Sequence, residues 1–116
     1  MNIEEARIEC LAMNPNVEEC TPFGPEYIVM KIGGKMFSLL PLDTPDMITL
    51  KCQPERLIEL CERYHGINGA YHFNKKHWLQ IQYDTDVPDS LIRELITNSY
   101  TLVFNSLPRR TRQELL

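Results

Sequence analysis

No stretch of this chain holds more than a few apolar residues in succession, whereas a helix that crosses a bilayer needs roughly 20. A membrane-spanning helix is therefore not expected. The opening segment Met1-Asn2-Ile3-Glu4-Glu5 lacks both a basic start and an apolar run, so no secretory signal is expected and the cytoplasm is the default location. Catalytic signatures are missing too. The chain has no P-loop, no G-x-G-x-x-G, no H-E-x-x-H and no G-x-S-x-G. Gly33-Gly34-Lys35 lacks the earlier glycine and the following Ser or Thr of a P-loop and reads as a hairpin turn. We expect no enzymatic activity and no cofactor.

Cysteine is present but in no metal-binding pattern. Cys10, Cys20, Cys52 and Cys61 contain no C-x-x-C, and their spacings fit no zinc motif. Without a secretory signal they are expected to be reduced thiols. Cys10 and Cys61 fall on apolar helix faces and Cys52 on an apolar strand face, where cysteine behaves as a small hydrophobe, and Cys20 falls in a loop. His72 and His77 stand five positions apart. A zinc ion would need further ligands, for which His65 and Asp84 are the nearest candidates, and no metal site is expected.

An excess of positive charge is also lacking. The net charge is −4, which argues against a protein that coats nucleic acid without preference. The distribution is uneven. Up to Glu26 there are six acidic residues against Arg7 alone; from Tyr27 to Ile81 seven basic residues face five acidic ones; and the tail carries Arg109, Arg110 and Arg112 against Glu114. An acidic first helix and a basic sheet region would make a bipolar molecule that attracts anions. The bland alternative spreads these charges over ordinary solvated faces.

At 116 residues with 43% hydrophobic content, the chain has enough apolar material for one core, and residues 1–116 are expected to form a single domain. Asn2 with Glu5 is a capping-box variant opening a helix through Ile3, Ala6, Cys10 and Met13, closed by Asn14-Pro15. Pro15 to Pro25 reads as a loop containing Glu18, Glu19 and Cys20. Tyr27 to Ile32 and Lys35 to Leu40 are β-rich runs joined by Gly33-Gly34, a pair suited to a tight hairpin turn. Met47 to Cys52 alternates as a third strand, with Ile48, Leu50 and Cys52 on one face and Thr49 and Lys51 on the other.

Pro54 opens a second helix with an apolar stripe of Leu57, Ile58, Cys61 and Tyr64 that covers the sheet. Leu79, Ile81 and Tyr83 alternate with Gln80 and Gln82 in a fourth strand whose polar face includes Trp78. Pro88 begins a long third helix, and Leu107-Pro108 separates it from a short basic fourth helix. The fold class is α+β, an antiparallel sheet packed against helices in the order α-β-β-β-α-β(β)-α-α.

The segment from Tyr71 to Trp78, Tyr-His-Phe-Asn-Lys-Lys-His-Trp, concentrates two cations, two histidines, an amide and hydrogen-bonding aromatics. Together with Gly34-Lys35-Met36-Phe37 upstream and Ser106-Leu107-Pro108 before the basic tail, it resembles the MmcQ/YjbR family of small bacterial proteins over nearly the whole chain. The resemblance implies a compact single α+β domain of the same arrangement and a DNA-binding role. Cys20-Thr21-Pro22-Phe23-Gly24-Pro25 departs mildly from the family, its second proline stiffening a loop.

In the binding reading, Lys75 and Lys76 contact phosphates, Asn74 bonds a base edge or the backbone, His77 donates when protonated, and Trp78 or Tyr71 stacks on an unpaired base. Lys35 and Lys51 extend the surface along the sheet with Lys31, and Arg109 and Arg110 extend it from the tail. His72 completes the candidate set. In the structural reading, Trp78 fills a gap between sheet and helix, Asn74 caps a turn, His72 satisfies a buried carbonyl and the lysines sit in water.

The lead expectation is DNA binding through a basic sheet-and-turn surface. A protein-interaction module using a sheet face or edge and a pocket for a small anionic ligand are the alternatives. An exposed apolar groove favours the first of these, and a closed concavity around His72 favours the second.

Overall fold

The structure, a computed structural model, describes residues 1–70 and 73–116. Asn2 lies in extended backbone, its Oδ1 accepts the Glu5 N–H at 2.9 Å, and its Nδ2 donates to Glu5 Oε1. That reciprocal pair starts α1 (Ile3–Leu11). After it come β1 (Glu18–Cys20), β2 (Tyr27–Ile32), β3 (Lys35–Pro41), β4 (Met47–Lys51) and α2 (Pro54–Arg63). The chain continues through β5 (Ile67–Gly69), β6 (Trp78–Gln82), α3 (Asp89–Ser106) and α4 (Arg109–Glu114). This is an α+β fold whose order of helices and strands matches the expected one apart from the additional short strand β1. Among the described residues no helix is long and apolar enough to cross a membrane.

The six strands form one antiparallel sheet in the order β1-β2-β3-β4-β6-β5. Gly33 and Gly34 join β2 to β3 with φ of +58° and +82°, angles that suit a primed hairpin turn and that side chains disfavour. At the far edge of β2 the structure corrects the expected loop, since Glu18, Glu19 and Cys20 pair with Lys31, Met30 and Val29. A three-residue strand with no apolar alternation gives no periodic signal, and its partner supplies the order. Both edge strands are only three residues long, which limits edge-to-edge association.

Period-2 alternation divides the sheet into two faces. Met30, Leu40, Ile48, Leu50, Leu79 and Ile81 share the face that forms one core with residues of α1, α2 and α3 and are all fully buried. Each such side chain contributes about 1.5–3 kcal/mol by leaving water. A bulge interrupts the pattern, because Met30 pairs with Ser38 but Lys31 pairs with Met36, leaving Phe37 as an extra residue. Its ring meets Tyr100 of α3 edge-on at 5.5 Å. At the bulge the Ser99 hydroxyl donates to the Phe37 carbonyl at 2.6 Å and accepts the Lys51 N–H at 2.8 Å. A helix side chain thus bridges two strands where the ladder breaks.

In α2 the buried stripe is Leu57 and Leu60, with Cys61 and Tyr64 partly buried against the core. Ile58 does not belong to it, being 59% exposed; the helix turns Leu60 inward instead, three residues after Leu57. Burial raises the thiol pKa of Cys52 and Cys61 and pushes Cys10 up to about 11. These three thiols behave as apolar side chains, and Cys20 lies in β1 rather than in a loop.

Candidate nucleic-acid interface

Strand direction decides where the charges gather. Lys35 follows the β2–β3 turn, and Lys31 pairs with Met36 just inside it. Because Ser38 pairs with Leu50 in the antiparallel neighbour, Lys51 leaves β4 at that same end of the sheet. Lys51 is opposite Trp78, whose strand is preceded immediately by Lys75, Lys76 and His77. All five lysines of the chain therefore occupy one end.

The arginines of the tail join them. From Ser99 at the bulge, α3 runs on to Leu107, and a Cβ placed on Gly33 would lie 2.6 Å from Leu107 Cδ1 and 3.3 Å from Thr111 Cγ2. That close approach sets the start of α4, with Arg109 and Arg110, against the hairpin turn beside Lys35. Among the described residues no lysine forms an ion pair, and Arg110 reaches Glu114 only at 3.9 Å. Glu18 stands across from Lys31. By contrast, Arg7, Arg56 and Arg93, outside this cluster, are each paired with a glutamate.

All five aspartates lie at the other end of the sheet. Asp43 and Asp46 are in the β3–β4 turn, Asp84 and Asp86 follow β6, and Asp89 begins α3. Asp86 accepts the His65 and Gly66 N–H groups at 2.7 and 2.9 Å. These backbone donors hold its carboxyl below the ordinary 3.8. Lysine and aspartate are thus separated along the strands, a division different from the acidic helix and basic sheet region expected from the sequence.

The turn before β6 is built by Asn74. Its Oδ1 accepts the Lys76 N–H at 3.1 Å, and its carbonyl accepts from both His77 and Trp78 at 2.9 Å. The cap expected of Asn74 is thus present, and the turn leaves Asn74, Lys75, Lys76 and His77 exposed. The His77 carbonyl accepts the Cys52 N–H at 2.9 Å, which fastens the turn to the end of β4. Gly69 lies under it, where an added Cβ would come within 3.1 Å of Lys75 Cβ and 3.3 Å of its carbonyl oxygen.

Trp78 does not fill a gap between sheet and helix. Alternation with Leu79 sends it to the opposite, helix-free face, half-buried, with its ring 5.7 Å from Phe73 and the Lys51 ammonium 6.0 Å from its centroid. Tyr71 and His72, for which stacking and buried-carbonyl roles were considered, lie outside the described residues. Among the described residues no cluster of His, Cys, Asp or Glu could hold a metal ion.

Sequence reasoning missed a cavity on this helix-free face. It has a volume of about 590 Å³, within the range of small-ligand sites. Leu39, Pro41 and Met47 are among its apolar lining residues, Phe23, Tyr27 and Phe73 its aromatic ones, and Thr49 and Gln80 place polar groups there. Thr49 lies on the face opposite Ile48 and Leu50, as the alternation predicts, and is 2% exposed there. A smaller hollow of about 370 Å³, lined by Phe73, Asn74, Lys75 and Lys76, adjoins it through the shared Phe73. Nothing periodic announced the cavity, because loop aromatics complete it.

A helix-backed antiparallel sheet with one helix-free face and its lysines at one end defines a small α+β protein. Residues 12–102 match the YjbR family, and the chain belongs to it. It is 40% identical over 100 residues to the protein YbdF of Escherichia coli O157:H7, covering 85% of this chain and 82% of that one. It is 30% identical to the protein YjbR of Escherichia coli K12, covering 100% of this chain and 98% of the other.

A crystal structure of the Deinococcus radiodurans protein DR2400, of the DUF419 domain family, superposes with a TM-score of 0.89 at 34% identity, covering 97% of this chain and 86% of that one. A Pseudomonas syringae crystal structure reaches 0.66 at 26% identity over 84% of this chain and 96% of its own.

Proposed function

We propose that this protein binds nucleic acid, DNA in the first instance, in the bacterial cytoplasm, and that it does so through the lysine-bearing end of its sheet without catalysing a reaction. The observation that carries this reading is the gathering of all five lysines, with Arg109 and Arg110, at one end while all five aspartates occupy the other. Such a dipole orients the molecule toward a polyanion even though its net charge is −4. Lys35, Lys51, Lys75 and Lys76 supply the phosphate contacts, the Asn74 turn holds two of them in a fixed geometry, and His77 adds a donor when protonated. Cys10, Cys52 and Cys61 have raised pKa values, the wrong direction for an activated nucleophile.

Fluorescence polarisation with labelled DNA at low and moderate salt tests the proposal. Binding should fall with salt and with Lys75→Ala/Lys76→Ala, while the variant keeps the wild-type unfolding midpoint. Unchanged affinity in that variant removes the turn from the interface. The open-face cavity favours a second reading, a protein-interaction module, under which no DNA is bound even at low salt.

A further inference from the structure

Resting on that reading, we infer that the cavity on the helix-free sheet face receives one unpaired base of a single DNA strand, with the adjoining phosphate over Lys75 and Lys76. The two hollows share Phe73 as a common wall, so a ligand that fills both has an apolar or aromatic body on one side of that ring and an anionic group on the other. A nucleotide unit has this construction. The neighbouring Trp78 carries Lys51 at 6.0 Å from its ring centroid and tilts 38° from Phe73, placing a further aromatic and a further cation beside the path of the strand. The charge axis fits the same orientation, with lysines at the Phe73 side and Asp43 among the residues lining the cavity from the opposite end.

The lining also discriminates between bodies of similar size. An aliphatic chain would cover Thr49, Gln80 and Asp43 without offering them hydrogen bonds, at a desolvation cost. A base brings donors and acceptors on its edge. Glutamine pairs with such an edge through its amide, and an aspartate accepts from an exocyclic amino group. The apolar floor of Leu39, Pro41 and Met47 and the aromatic side chains Phe23, Tyr27 and Phe73 suit the base faces, which stack on aromatics whatever the sequence. In a duplex those faces are already stacked and inaccessible, so the cavity selects single strands.

The test uses the full chain with a labelled mixed-sequence oligonucleotide, its duplex and free deoxynucleoside monophosphates, following anisotropy and the fluorescence of the only tryptophan, Trp78. Thr49→Met extends a lining side chain into the cavity, and Phe73→Ala removes the shared wall; neither deletes a cation. The expected result is tighter binding of the single strand than of the duplex, with both variants weakening only the single strand, by roughly five- to a hundredfold, the measured worth of one stacked base.

Equal binding of both forms, unaffected by Thr49→Met, overturns the base pocket and leaves the basic end intact as a DNA surface. Mononucleotide binding that depends on Thr49, with no preference for the single strand, overturns the strand as occupant and assigns the cavity to a free nucleotide. Failure of any nucleic acid to bind at low salt overturns this inference together with the reading beneath it, leaving the cavity to a protein partner.

Discussion

Replacing Ser99 with alanine removes one hydroxyl but orphans two strand groups. Ser99 is fully buried, donates to the Phe37 carbonyl at 2.6 Å and accepts from the Lys51 N–H at 2.8 Å. The bulge at Phe37 prevents β3 and β4 from closing this part of the ladder themselves. Each hydrogen bond contributes about 1 kcal/mol net, and a buried group left without a partner costs about 1–3 kcal/mol. Ser99→Ala should therefore destabilise the protein by about 2–4 kcal/mol, without the cavity term of a larger deletion. For a domain of this size that is a fall in Tm of roughly 8–16 °C.

Urea unfolding followed by circular dichroism measures the loss as a lower midpoint at unchanged slope. Thr97→Ala is the control, since its exposed hydroxyl bonds only back to the Arg93 carbonyl of the same helix and its loss should stay within about 0.5 kcal/mol. A Ser99→Ala loss no larger than that of the control would refute the bridge. Lys51 leaves β4 at the bridged residue, so Ser99→Ala should also weaken DNA binding at temperatures where the fold persists.

Other substitutions probe the same framework. Gly33→Ala should cost more than Gly34→Ala. Both have positive φ, worth about 1–2 kcal/mol for a side chain, but only Gly33 places the new Cβ 2.6 Å from Leu107, whereas Gly34 faces open space; paired urea titrations read the difference. Gly69→Ala should push the Asn74 turn away from β5, lowering DNA affinity more than it lowers the unfolding midpoint, as polarisation and urea titration of one sample would reveal.

Asp86→Asn addresses the acidic end. The folded carboxyl titrates below 3.8 because the His65 and Gly66 N–H groups stabilise its charge, so its contribution is fully present above that value and is lost as pH falls through the lower folded pKa. The stability gap between wild type and Asp86→Asn should be widest near neutrality and narrow below about pH 4; a gap independent of pH between 7 and 2.5 would contradict this.

The parts of the fold legible in the sequence were those with a short-range cause. Asn2 and Glu5 announced the first helix, Gly33-Gly34 the hairpin, Pro54 and Pro88 the helix starts, and Leu79 and Ile81 a strand with Trp78 on its other face. β1 was not legible, because Glu18 to Cys20 become a strand only when β2 is beside them. Ile58 misled because an apolar residue at helical spacing need not lie at the centre of the buried face.

The cationic residues were individually visible, yet their assembly at one end depends on register and strand direction, to which residues far apart in sequence contribute. Ser99 and Thr49 were invisible for a related reason. A serine in a helix and a threonine in a strand acquire roles only from the bulge and the loop aromatics that approach them.

The most direct test of the central claim is the salt dependence of DNA affinity, measured by polarisation between 50 and 200 mM NaCl for wild type, Lys75→Ala/Lys76→Ala and Arg109→Ala/Arg110→Ala. Four lysine–phosphate contacts alone give a slope of log K against log salt near −3.6 for duplex and −2.8 for a single strand, contacts from Arg109 and Arg110 steepen it by about 0.9 or 0.7 each, and two fewer contacts reduce its magnitude by about 1.8 or 1.4. The account expects the wild type to lose at least roughly a hundredfold in duplex affinity over that range and each double variant to show a shallower slope. Slopes identical in all three proteins, or no binding at 50 mM, would contradict it.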